Sequence, residues 1–84
     1  MTDKEIFLSV VPCRNFMTPN VDSYVRKGRY VCEISSGHGA GIHMVGVTVV
    51  NAETLTHEHD LCKSFTSPTR KESMKKAMDY IESL

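Results

Sequence analysis

The stretch Ile42-His43-Met44-Val45-Gly46-Val47-Thr48-Val49-Val50 constrains this chain more than any other. It is dense in β-branched residues, and successive side chains of a strand point to opposite faces. Val45, Val47 and Val49 therefore share one face, while Ile42, Met44 and Val50 share the other. A strand that is apolar on both faces belongs inside a sheet. The chain must then supply neighbouring strands and something to pack on them. Gly46, in the strand interior, marks a bulge or a close backbone approach.

Neighbours are available on both sides in sequence. Arg29-Tyr30-Val31-Cys32-Glu33-Ile34-Ser35 alternates as a second strand, with Tyr30, Cys32 and Ile34 inward and Glu33 outward. Ser36 to Gly41 reads as a flexible connection between the two. Leu61 to Phe65 is a short strand, antiparallel to 42–50. Ile6 to Val11 is a β-branched and aromatic run that stops at Pro12, and is read as a strand with Ile6, Leu8 and Val10 on one face. A helix competes there, because Thr2 and Glu5 have capping-box spacing. Residues 12–28 have the composition of a loop, in which Val21, Tyr24 and Val25 could add a short strand or an anchor. Residues 51–60 form a polar, acidic loop carrying Glu53, Glu58 and Asp60.

The C-terminal segment is helical. Ser67 caps it with Pro68 at the first helical position, or Thr69 caps it with Glu72 three residues on. Met74, Ala77, Met78, Ile81 and Leu84 fall on one stripe, the side that packs on the sheet. The expected architecture is a single α+β domain spanning 1–84, in the order β-β-β-β-α. It has an antiparallel sheet of about three or four strands with the C-terminal helix on one face.

The charges of that helix run against its dipole. Arg70, Lys71, Lys75 and Lys76 crowd its first half, and Asp79 and Glu82 sit near its end. Each misplaced charge costs roughly 0.3–1 kcal/mol, so a compensating anion is expected at the basic start. Nucleic-acid phosphates are one source. The acidic loop at 51–60, in this chain or a second copy, is another. Ten basic and ten acidic residues cancel, which argues against coating nucleic acid or anionic membrane by bulk attraction. Any anionic contact is therefore local. Arg26, Lys27 and Arg29 form a second basic cluster.

The three cysteines, Cys13, Cys32 and Cys62, have no motif spacing and imply no disulfide framework. The hydrophilic start and the brevity of Ile6–Val11 fit no signal peptide, and no run approaches the ~20 residues of a membrane span. A cytoplasmic, reduced setting without membrane association is expected.

Few constellations point to chemistry. Gly37-His38-Gly39-Ala40-Gly41 leads into a strand, so it lacks the helix start a phosphate loop requires. His57-Glu58-His59-Asp60, with Cys62 close by, has zinc-compatible donors at a spacing that matches no established site. It reads as a solvated loop, with His57, His59 and Cys62 as the weaker metal alternative. Cys13 beside Arg14 has a cationic neighbour but no positioned base. His43 reads as a satisfied sheet histidine, and Met74 and Met78 as core. No cofactor and no enzymatic activity are expected.

From Arg29 onward, the chain resembles a double-stranded-RNA-binding domain. Tyr30 lies in a strand that ends at Gly37, Gly39-Ala40-Gly41-Ile42-His43 opens a long strand, and Thr69 to Ala77 opens the last helix. The family's Gly-Pro pair and first helix are missing from this reading. The resemblance implies duplex RNA contacts through His43, Arg70, Lys71, Lys75 and Lys76.

Taken together, the expected function is a small non-enzymatic binding or adaptor domain that acts through a protein partner, with a homodimer as one form of it. Its profile resembles small proteins of phage or mobile-element type. Nucleic-acid binding through the basic helix start is the alternative.

Overall fold

The computed structural model describes residues 1–12 and 20–84. The chain runs α1 (Asp3–Val10), β1 (Asn20–Lys27), β2 (Tyr30–Gly39), β3 (Ile42–Asn51), β4 (Thr56–His57), a 3-10 turn (His59–Leu61), β5 (Lys63–Ser67) and α2 (Arg70–Glu82). All pairings are antiparallel in one five-stranded sheet. β1 pairs with β2 and β2 with β3. Beyond β3, β5 pairs with its first half and β4 with its last two residues. The α+β class, the antiparallel sheet and the C-terminal helix packed on it agree with the sequence reading.

Cys32 and Ile34 of β2 and Val45, Val47 and Val49 of β3 face α2, where Ala77 and Ile81 close the main core. Met74, Met78 and Leu84 pack around it, so the predicted stripe does what its spacing implies. Thr69, the second of the two proposed caps, is the one used: its hydroxyl accepts the Glu72 amide at 3.3 Å.

The strand expected at Ile6–Val11 is a helix. A short apolar run has the same composition in either form, and the capping box decides between them. Thr2 Oγ1 accepts the Glu5 amide at 3.2 Å, and Glu5 Oε1 accepts the Thr2 amide at 3.0 Å. These bonds hold the Glu5 carboxyl below its usual range. Helical winding brings Phe7 down onto the sheet, fully buried with Val31 and Val50 on the face opposite α2. The molecule thus has three layers at this end, not two.

That second layer corrects Glu33. It points away from α2 as its parity demands, yet it is fully buried on the face that α1 packs against. Its Oε2 lies 3.5 Å from the Tyr24 hydroxyl of the neighbouring strand.

Two further expectations change. Residues 36–39 belong to β2, and the flexible connection shrinks to a tight turn at Ala40 and Gly41, with φ of 52° and 77°. Positive φ at both positions matches the right-handed twist of the strands, so the hairpin stays in register to Gly39 and Ile42. β1 fills much of the expected loop, with its register shift between Val21 and Ser23. Gly46 carries no bulge. It marks a close approach: a Cβ built there would lie 3.2 Å from Ser35 Oγ on β2.

Candidate functional site

Two of the four cations in the first half of α2 pair with carboxylates of the chain, and a third bonds a backbone carbonyl. Arg70 Nη2 donates to Asp22 Oδ1 at 2.9 Å, Lys75 Nζ to Asp79 Oδ2 at 3.1 Å, and Lys76 Nζ to the Thr66 carbonyl at 3.2 Å. Only Lys71 of the four has no such partner among the described residues. At the other end, Glu82 pairs with Lys27 at 3.2 Å. Arg70, Lys75, Asp79 and Glu82 thus find opposite charges across the fold and along the helix.

The acidic loop is not that counter-charge within this chain. Tyr80, in the last third of α2, donates its hydroxyl to the Leu61 carbonyl. Residues 51–61 therefore lie by the end of the helix, away from its start. Asp22, on the bulged part of β1, takes the role expected of the loop.

His43 is brought beside the start of α2. Its carbonyl accepts from Ser73 Oγ at 2.7 Å, and its ring stacks on His38 across the hairpin with centroids 5.6 Å apart. Ser73 Oγ also lies 2.8 Å from Ser67 Oγ; with the Ser73 proton on the His43 carbonyl, the single Ser67 proton serves either Ser73 Oγ or the Thr69 carbonyl. Sequence reasoning missed this buried serine pair. Its signal was a serine four residues before Ala77, on the inward stripe.

His57 and His59 lie side by side, with ring centroids 3.9 Å apart. Cys62 Sγ lies 3.5 Å from His57 Nε2. Even so, no group of three or more His, Cys, Asp or Glu among the described residues could hold a metal ion. The two rings are tilted at 34° to one another, and His57 Nε2 faces the Cys62 sulfur. Cys13 and Arg14 lie outside the described residues.

A different surface stands out once both layers are in place. α1 covers only the end of its face near Val31 and Val50. Towards the Ala40–Gly41 turn, the same face lies open among the described residues, and Ile42 and Met44 are 51% and 48% exposed there. Each stands proud because its cross-strand neighbour on β2 is a glycine, Gly39 beside Ile42 and Gly37 beside Met44. Val21, paired with Ser35, is 37% exposed at the β1 side. Thr66 and Ser64 of β5 lie beside Met44 and Gly46.

By register, no Asp, Glu, Lys, Arg or His side chain among the described residues belongs to this open half, although 24% of the chain is charged. A shallow groove of about 330 Å³ crosses it, bounded by Ser35, Met44, Gly46 and Ser64 and reaching Cys62. Lys63 borders the groove, but its ammonium lies over the Tyr80 ring on the other side, 4.9 Å from the centroid. No described helix is long and apolar enough to cross a membrane. No protein-family model, curated protein or solved structure matches the chain.

Proposed function

We propose that this protein is a small non-enzymatic binding domain that docks an apolar protein surface on the open half of its sheet. The carrying observation is the uncharged patch around Ile42 and Met44. Large side chains flanked by glycine and serine make a ridge beside a trough, a relief that another protein's side chains can fill. A charged ligand would find no counter-charge there among the described residues. A second copy of this chain is one admissible partner, since zero net charge imposes no long-range repulsion between copies.

Met44→Glu places a charge in the patch centre and tests the reading. Self-association by sedimentation velocity, and retention of host proteins on the immobilised chain, are compared with wild type. Each contact made through the patch should weaken at least about ten-fold, the scale of a lost apolar anchor. Retention or association equal to wild type in both Met44→Glu and Ile42→Glu would refute it.

Nucleic-acid binding is the second reading, favoured by the placement of His43 beside the α2 start. Its support is narrower, because Arg70, Lys75 and Lys76 already have partners in the fold. It requires duplex RNA retention that falls steeply with salt and weakens in Lys71→Glu. No retention at low salt would remove it.

A further inference from the structure

β3 has a gap along its outer edge, and Cys62 fills it. β5 pairs with β3 as far as Val47, and β4 begins only at Val50. Between them, the Val49 carbonyl accepts the Glu58 amide at 2.9 Å, and the Val49 amide donates to Cys62 Sγ at 3.3 Å. The same sulfur lies 3.4 Å from the Glu58 carbonyl and 3.5 Å from His57 Nε2. Cys62 is half-buried: its side chain packs beside the main core, and the residue is among those at the edge of the groove. The sulfur therefore has a backbone donor and a neighbouring base, in a residue that is only partly buried.

We propose that Cys62 and His57 form a thiol–imidazole pair that makes Cys62 a modification site for small disulfides such as glutathione disulfide. The inference rests on this pair alone and stands or falls independently of the binding reading. Neutral His57 Nε2 takes the proton from Cys62 Sγ–H. The thiolate attacks one sulfur of the incoming disulfide, forming a new S–S bond as the old one breaks. The departing thiolate recovers its proton from the imidazolium. Atoms and electrons balance, since the disulfide is the only oxidant needed. The Val49 N–H steadies the negative charge on sulfur before the new bond forms. Cys32 lacks this apparatus: it is fully buried in the core between the sheet and α2.

The full chain is treated at pH 7 with 4,4′-dithiodipyridine, a neutral disulfide, while thiopyridone release is followed and the labelled cysteine mapped by peptide mass. The first equivalent is expected on Cys62, and its fast phase should vanish in Cys62→Ser. His57→Gln, which keeps the size but cannot take the proton, should slow that phase about ten-fold or more, given the 10²–10⁴ typical of a positioned base. Unfolding would raise the rate and expose Cys32 as well, so a slower single-site reaction isolates the base. Glutathione disulfide should then place one glutathionyl group on the same peptide. A first label on Cys13 or Cys32, or a His57→Gln rate within two-fold of wild type or above it, would overturn the proposal.

Discussion

Ser73 shows how much a single polar residue can do inside the helix–sheet interface. It is fully buried, yet its hydroxyl bonds both the His43 carbonyl and Ser67. Truncation leaves these buried partners short of a bond, which costs about 1–3 kcal/mol. Ser73→Ala should therefore lower urea unfolding stability by about that amount with an unchanged m-value. A loss under about 0.5 kcal/mol would show that water replaces the hydroxyl. Cys32 acts through its proton. Burial pushes its thiol from the ordinary 9.0 up to about 11, and the nearby Cys62 adds to the shift. The unfolded chain therefore releases that proton first as pH rises above 9. Because the unfolded state then binds fewer protons, stability falls between pH 9 and 11. Tyr80 shifts the same way, chiefly through burial, and adds to the slope. Cys32→Ala should flatten the alkaline decline measured by urea unfolding at pH 8, 9, 10 and 11, whatever its constant cost in packing. An equally steep decline would show that the thiol is not the source.

At the scale of elements, α1 depends on few contacts. Its first turn is set locally by Thr2 and Glu5, but Phe7 is its only fully buried side chain. An isolated helix of this length is not stable in water, so tertiary packing must hold it. Phe7→Ala should cost about 3–5 kcal/mol and release α1, exposing Val31, Val50 and Glu33. Hydrogen exchange should show α1 amides losing protection while α2 amides keep theirs; protected α1 amides would contradict this. The capping box was legible at Thr2 and Glu5, whereas the choice of helix over strand was not. Five apolar residues in a run of six carry too little periodicity to separate the two forms. That ambiguity spread outward: without α1 there was no second layer, so Glu33 was assigned to solvent. α2 was more legible, because its stripe repeats over several turns and its cap has a matching Glu72.

For the whole molecule, the distribution of charge matters more than its sum. The ion pairs Arg70–Asp22, Lys27–Glu82 and Lys75–Asp79 lie on the surface and are worth about 0–1 kcal/mol each. They offset the reversed helix without leaving a large basic field. The open half of the sheet is the complement of this surface, without a charged side chain among the described residues where α1 stops. Met44→Glu should leave unfolding stability within about 0.5 kcal/mol, since its side chain is already half in water. Lost association with unchanged stability would place its role at a contact; lost stability would place it in the fold.

By itself, the sequence determined the local and periodic features: the two-faced strand at 42–50, the stripe and cap of α2, the antiparallel α+β class and the reversed helix charges. These follow from spacings of a few residues, which the backbone turns directly into faces and caps. Tertiary structure alone decided which distant groups meet. Asp22 rather than the 51–60 loop reaches Arg70, His43 comes beside Ser73, His57 beside Cys62, and α1 buries one half of a sheet face while sparing the other. Such pairings depend on how far each element extends and where it crosses the sheet. No spacing along the chain encodes that distance.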